Sequence, residues 1–488
     1  MGHPHELGVY LRTPAQQPAF PGHAAKNAPI ALTAVTSPLE PCSRPLENHM
    51  SSDLTQPLNA PLTLPCGLIL KNRLVKAAMT EGLAGPDGLP NEQLLRLYRT
   101  WAQSGVAVLI TGNVMVDGTH LERPGNVILD QELNPSGLAA FTAWAAAGSA
   151  HDCQMWMQIS HPGRQTQKRA NPAPRSASDV GLNLPGGRFA RPVPLHPDEI
   201  RLLIERYAAA ARQAKGCGFS GVQIHAAHGY LISQFLSPQS NRRTDEWGGS
   251  LDKRARFLRS IVAAVRAQTG SDFAVSVKLN SSDFQQGGFG ADDARQVVRW
   301  LEADGVDLIE LSGGTYEQPR MLEFDGIDPR EDIRLRASTR AREAFFQGFA
   351  AELKEEVSVP LMVTGGFRSA TGMAEAIAVD GISAIGIGRP LCGDPVCTQK
   401  LLRDGEDLPR FERILGNPGG FFGTNSPVKL IKMMASFSVM AWYYDQLVLL
   451  GNGQKNDPHP YPFKRLLALE RREVQWIKAR KTWLARFS

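Results

Sequence analysis

From Leu62 onward, short runs of apolar and β-branched residues recur along the chain, separated by longer stretches whose apolar positions fall three and four apart. The runs are Leu74–Ala78, Val106–Ile110, Met155–Ile159, Gly221–Ile224, Ala274–Leu279, Leu308–Leu311, Leu361–Thr364 and Ala384–Ile387. They are near-continuous rather than alternating, as strands covered on both faces are. The stretches between them carry the helical period. Glu199 to Lys215 presents an alanine-rich face, and Leu251 to Gln268 turns Phe257, Ile261 and Val265 to one side. Eight strands alternating with helices over roughly 330 residues predict an α/β fold, a (β/α)8 TIM barrel. An open doubly wound sheet would lead with a Gly-x-Gly-x-x-Gly turn after its first strand, and none stands there. Ahead of the first run, Leu62 to Leu70 reads as a hairpin turning at Pro65, Cys66 and Gly67, suited to plugging the barrel's bottom.

The pattern stops at both ends, which predicts three regions: a disordered leader over 1–58, a barrel over 59–395 and a helical C-terminal extension over 396–488. The leader is rich in Pro and Ala and has neither period. It lacks the basic start and apolar centre of a signal peptide. Glu6, Glu40 and Glu47 offset Arg12, Lys26 and Arg44, unlike a transit peptide. Met50 opens a cleaner leader and is a candidate start of the working protein. In the extension, Gly416 to Gly423 punctuate the chain before two predicted helices, Val428 to Leu450 and Tyr461 to Leu484. Between Lys455 and Ser488 nine Lys and Arg face three Asp and Glu, with Trp476 and Trp483 interleaved. Such a helix suits an anionic membrane surface or nucleic acid. Packing on the barrel or across a subunit contact, with its cations in water, is the more economical expectation.

Composition narrows the function without naming it. A net charge of +5 is too small to argue for nucleic acid. The six cysteines, Cys42, Cys66, Cys153, Cys217, Cys392 and Cys397, form no Cys-x-x-Cys pair, which suits reduced thiols and a cytoplasmic location and speaks against an iron–sulfur cluster. No uncharged apolar run reaches the ~18 residues of a membrane span. The longest, Met433 to Tyr444, is cut by Asp445 and reads as a buried or interface helix.

The chemistry concentrates in residues 221–249. Val222, Gln223 and Ile224 lead straight into a loop holding His225, His228 and Tyr230, three proton-handling side chains at the carboxyl end of one strand, where barrels hold their ligands. Two imidazoles there suit a carbonyl or another oxygen that gains charge. A phenol with an ordinary pKa of about 10 still carries its proton at neutral pH. An isolated His-x-x-His is weak evidence, since loop histidines are more often satisfied by backbone. No third ligand at a recognisable spacing supports zinc. A second constellation lies after the last two strands, where Gly365, Gly366, Phe367 and Gly388 let backbone amides approach a phosphate and Arg389 can pair with it.

The full run His225-Ala-Ala-His228-Gly-Tyr230-Leu-Ile-x-x-Phe235-Leu-Ser-Pro-x-Ser-Asn241-x-Arg243-Thr-Asp245-Glu-x-Gly-Gly resembles the signature of the Old Yellow Enzyme family of FMN-dependent ene-reductases, and a match of this length is specific. With the other segments it covers roughly residues 60 to 400. The resemblance implies FMN as cofactor and NADH or NADPH as reductant. It implies that Ala78, Met79 and Thr80 lie along the flavin ring, with Thr80 tuning it and Ala78 standing where proline is more usual. Gly112 would offer backbone to the flavin. Gln158, in Gln-Ile-Ser-His161-Pro-Gly163-Arg164, would bond its pyrimidine edge. Lys278 stands where the family commonly has arginine, near the flavin N1, keeping the charge and losing the planar fork. The implied chemistry is ping-pong: NAD(P)H reduces FMN, and an α,β-unsaturated carbonyl or nitro compound then binds in its place. His225 and His228 hold the substrate oxygen, hydride reaches the β carbon, and Tyr230 protonates the α carbon. Two other readings stand beside this one. One is a dihydrouridine-synthase-like FMN barrel acting on RNA through the basic tail, which would need a cysteine acid that has no counterpart here. The other is a catalytically silent binding barrel. The iron–sulfur branch of the family would carry clustered cysteines and further domains. The favoured partner is a small unsaturated carbonyl compound, with no nucleic acid, with peripheral membrane contact by the last helix as a secondary expectation, and with a homo-oligomer compatible with the sequence.

Overall fold

Eight short strands pair in parallel and the pairing closes on itself in a computed structural model that describes residues 55–182, 184, 187–314, 346–415, 421, 426–459 and 462–487. They are β1 (Leu74–Lys76), β2 (Val108–Ile110), β3 (Gln154–Ser160), β4 (Gly221–Ala226), β5 (Ala274–Asn280), β6 (Leu308–Ser312), β7 (Leu361–Thr364) and β8 (Ala384–Ile387). Each pairs with the next, and β8 returns to β1 through Ile385 opposite Leu74 and Gly386 opposite Val75. The eight predicted strands are therefore all present, β3 to β6 running one or two residues beyond their expected limits. Closure removes every free strand edge from this core, so each backbone amide finds its partner within the barrel wall.

Inward-pointing residues follow the period of two and stack in layers. At the bottom the expected hairpin is present, Leu62–Thr63 pairing antiparallel with Ile69–Leu70. Its Leu62, Leu64 and Leu70 pack with Val75, Val108, Trp156, Ala274, Leu308 and Ala384 into a separate apolar cluster that closes that end. Above this plug the interior turns polar: Gln158, Gln223, Ser276, Lys278 and Glu310 all point inward and are buried. The barrel can therefore carry chemistry only at its carboxyl end.

Helices cover the outside as their periodicity requires. Helix α1 (Glu92–Ala102) starts at Asn91, whose side chain accepts from the backbone of Gln93 and Leu94. Helix α2 (Pro197–Gly216) opens with proline in its first turn and a capping box between His196 and Glu199. Helix α3 (Leu251–Thr269) buries Phe257, Ile261 and Val265 on one face.

The extension forms α4 (Lys429–Gly451) and α5 (Pro462–Leu484). Helix α4 docks on α1, Arg96 donating to Gly451 O at 3.0 Å and Gln93 to Asn452 Oδ1 at 2.7 Å. Helix α5 reaches the barrel's upper loops: Trp476 Nε1 donates to Ala84 O and Arg480 to Pro86 O, both at 2.8 Å. Its acids meet barrel arginines, Glu473 with Arg123 at 3.2 Å and Glu470 with Arg169 at 3.2 Å. The expected packing on the barrel is found, with one difference. Arg465, Arg472 and Arg480 do not sit in water, because Asp445 takes the first two at 2.6 and 3.4 Å and backbone takes the third.

The leader boundary also shifts. Residues 55–59 are helical and Leu58 is fully buried, so the ordered chain begins before residue 59. The leader through residue 54, Met50 included, lies outside the described residues, as does most of the Gly416 to Gly423 stretch. Among the described residues no helix is long and apolar enough to cross a membrane.

Candidate active site

Strand β4 delivers His225 at the barrel mouth, and the following turn brings His228 and Tyr230 back against it. The ring centroids lie 5.2 Å (His225–His228) and 4.7 Å (His225–Tyr230) apart, each pair edge to face. The turn depends on a left-handed backbone at His228, φ +61°, which is costly for a residue with a side chain. Its surroundings hold it there: His228 N donates to Asn280 Oδ1 at 3.0 Å and His228 O accepts from Gln165 Nε2 at 3.1 Å. Gly229, also left-handed at φ +77°, completes the turn, and Tyr230 becomes the N-cap of a short helix, Leu231–Leu236.

Burial, reinforced by the charge of Lys278, holds both imidazoles well below their ordinary pKa, so both are neutral at pH 7. A backbone donor assigns the tautomer of His225. Ala227 N donates to His225 Nδ1 at 3.3 Å, which leaves the hydrogen on Nε2. His228 Nε2 shares a hydrogen bond of 2.8 Å with the Ser312 hydroxyl, which can serve as donor or acceptor. The pair thus offers neutral N–H donors rather than cations.

Three strands connect this pair to a chain of buried polar groups. Gln158 Nε2 donates to Gln223 Oε1 at 2.7 Å, and Gln223 Nε2 donates to Glu310 Oε2 at 2.8 Å. Lys278 Nζ lies 2.8 Å from Glu310 Oε1. Gln158 and Lys278, singled out in the sequence, are thereby locked in place by two residues that were not, Gln223 and Glu310. The missed signal was legible: a polar side chain inside an otherwise apolar parallel strand needs a reason to be there.

The segment after β1 lies beside the one after β2. Asn113 Nδ2 donates to Thr80 Oγ1 at 3.2 Å, and a Cβ on Gly112 would lie 2.5 Å from Met79 O and overlap the Glu81 carboxylate. Glu81 in turn accepts from Gly112 N at 2.9 Å and from the Tyr98 hydroxyl. Met79 also faces Gly388, whose added Cβ would stand 3.5 Å from its sulfur. Ala78, Met79, Thr80, Gly112 and Gly388 therefore share one neighbourhood. After β7, Gly365 (φ +116°) and Gly366 (φ +89°) are both left-handed, a backbone that only glycine adopts readily and that suits an anion-binding concavity. The Phe367 ring is buried in the core, so only its backbone can face a ligand.

Two observations test whether this neighbourhood suits a flavin nucleotide. The paired left-handed glycines after β7 suit a phosphate, and Asn113 Oδ1, buried next to Thr80, has no protein partner. Both fit a polar, phosphate-bearing ring system.

A nearby cluster resembles a metal site and is built otherwise. Asp117 Oδ2 lies 3.2 Å from His120 Nδ1, 3.8 Å from His161 Nε2 and 3.1 Å from Arg206. Arg175 N donates to His120 Nε2 at 2.9 Å and Gly163 N to His161 Nδ1 at 3.0 Å, so the nitrogens facing Asp117 carry the hydrogens. Burial opposes ionisation of Asp117, but the two imidazoles, His120 at 3.2 Å and His161 at 3.8 Å, hold its carboxyl far below the usual range. A cation would have to displace those hydrogens and compete with Arg206, so the cluster serves as an anchor for the loop after β3.

The mouth of this closed parallel barrel carries neutral imidazoles, a phenol and a lysine, with a left-handed glycine pair after β7. The sequence matches the profile of the NADH:flavin oxidoreductase / NADH oxidase family over residues 57–407, more than half of the chain, and the chain belongs to that family. It is an NAD(P)H-dependent flavin oxidoreductase, and membership implies FMN.

Among its relatives, the NADH-dependent flavin oxidoreductase iliE of Hypocrea jecorina (strain QM6a) is 37% identical over 361 residues, covering 70% of this chain and 88% of that one. The nadA enzyme of Aspergillus parasiticus is 38% identical over 345 residues, 68% and 75% of the two chains. The chain spans only 46% of a longer iliE from Neonectria sp. (strain DH2), at 39% identity over 69% of this chain. Among solved structures, the Old Yellow Enzyme homologue from Zymomonas mobilis superposes with a TM-score of 0.60 over 72% of this chain and 94% of that one. At 22% identity it supports the fold alone.

Proposed function

We propose that this protein reduces activated alkenes, chiefly enones, with nitro compounds and quinones as further acceptors, using NADH or NADPH. FMN, when bound, supplies the hydride carrier between nicotinamide and substrate. Gln158 and Lys278 would hold its ring, Lys278 opposing negative charge there, and Gly365, Gly366 and Arg389 would hold its phosphate. His225 and His228 bind the substrate oxygen through N–H groups and stabilise the charge that develops on it. Because they are neutral, they polarise that oxygen without giving it a proton. Tyr230, 6% exposed, supplies the proton to the α carbon.

The observation that carries this reading is the convergence of those three rings within about 5 Å at the end of one strand, beside an inward-facing lysine. The test is Tyr230→Phe in anaerobic stopped flow. Reoxidation by an enone should slow by roughly 10²-fold or more, while bleaching by NAD(P)H stays within about twofold. Equal loss in both half-reactions would remove Tyr230 from the role.

A further inference from the structure

We infer that the chain from Asp407 through the C-terminal helices, nearly all of it beyond the family match, is a clamp on the phosphate end of the cofactor site, with Glu412 and Tyr443 as its positioning residues. This rests on the FMN reading above.

The clamp fastens both turns predicted to hold the phosphate. On the turn after β7, Leu408 N donates to Arg368 O at 2.7 Å and Ala370 N donates to Asp407 Oδ1 at 2.9 Å. Arg368, buried and bonded through Nη1 to Phe367 O at 2.8 Å, gives Nη2 to Glu412 Oε1 at 2.9 Å. The other oxygen of Glu412 accepts from the Tyr443 hydroxyl at 3.2 Å. On the turn after β8, Arg389 begins a one-turn helix, Pro390–Gly393, whose Cys392 O accepts from Asn456 Nδ2 at 2.8 Å. The Phe411 ring covers Gly393 so closely that a Cβ there would overlap it.

Electrostatics ties the two turns together. Burial works against the charged form of Glu412, yet Arg368 and Arg389 hold its carboxyl below the usual carboxylate value. One half-buried carboxylate thus pairs with the arginine of the glycine turn and feels the charge of the arginine expected on the phosphate. Tyr443 holds the side of that carboxylate which Arg368 does not. Without Glu412, the charges of Arg368 and Arg389 would lose the carboxylate that offsets both. The family profile ends at residue 407, so every donor or acceptor from Leu408 onward is supplied by the extension.

A positioning role at the phosphate is separable from a general structural role by comparing two ligands that differ only in that group. The full-length protein, stripped of flavin, is titrated with FMN and with riboflavin, following flavin fluorescence, for wild type, Tyr443→Phe and Glu412→Gln. The wild type should prefer FMN. In Glu412→Gln the FMN Kd should rise roughly tenfold, and in Tyr443→Phe by a few-fold, with riboflavin Kd within about twofold in each. An unchanged FMN-to-riboflavin ratio in both variants overturns the clamp. If Glu412→Gln fails to fold, judged from its melting curve, Tyr443→Phe decides alone. A wild type that binds neither flavin, or both equally, overturns the cofactor reading itself and is distinct from failure of the clamp.

Discussion

Two buried charges, one inside the barrel and one behind its wall, carry consequences that a single substitution can expose. Glu310 faces both Lys278 and Gln223, so its carboxylate offsets the lysine charge while fixing the amide that fixes Gln158. Glu310→Gln should leave Lys278 uncompensated and raise the midpoint potential of bound flavin, read by spectroelectrochemistry. A potential identical to wild type would place Lys278 away from the ring. Lys76 points the other way, into the layer between β1 and α1, its Nζ 2.6 Å from Ile110 O and 4.5 Å from the Trp101 ring centroid. Burial, opposed in part by Glu81, lowers its pKa from 10.5 to about 8. The unfolded chain holds this proton more tightly, so the folded state bears a penalty on the order of 3 kcal/mol below pH 8 that fades as pH rises toward the unfolded value. The stability of wild type relative to Lys76→Met should therefore increase between pH 8 and 10.5 in denaturant titrations. A difference that does not change with pH would refute the assignment.

At the scale of elements, the site depends on turns that follow strands more than on the strands themselves. One tight turn is that after β2, where a Cβ on Gly112 would overlap both Met79 O and Glu81. Gly112→Ala forces the Glu81 carboxylate off Gly112 N and Tyr98, and should destabilise by about 1–3 kcal/mol, the usual range for an overpacked site. Flavin content should fall with it; a melting temperature and flavin ratio equal to wild type would show that Glu81 can move freely. Strand positions, to within two residues at either end, were readable from the sequence because parallel strands buried on both faces are largely apolar. The hairpin plug was readable from its turn residues. The left-handed His228 was not, since His carries no preference strong enough to announce that conformation.

Across the whole molecule, the extension acquires definite partners once the fold is seen. Its composition suited a lipid or RNA surface, with packing on the barrel or across a subunit contact the more economical expectation. In the structure its aromatic and charged groups meet the barrel through Trp476, Arg480, Glu470 and Glu473, and its first segment meets the turn after β7 through Leu408 and Glu412. A helix with this charge pattern carries the same local signal whether its partner is a membrane, a nucleic acid or the rest of its own chain.

Local patterns along the chain were enough to determine the barrel, its plug and the position of His225, His228 and Tyr230 at a strand end, because periodicity and strand order are set by residues close together in sequence. Folding in three dimensions decided what those residues touch. The links Gln158–Gln223–Glu310–Lys278 join four different strands, and Glu412 joins the extension to the glycine turn. Such partners lie tens to hundreds of residues away, and a hydrogen bond or ion pair depends on distances of a few ångströms that only the closed barrel brings about.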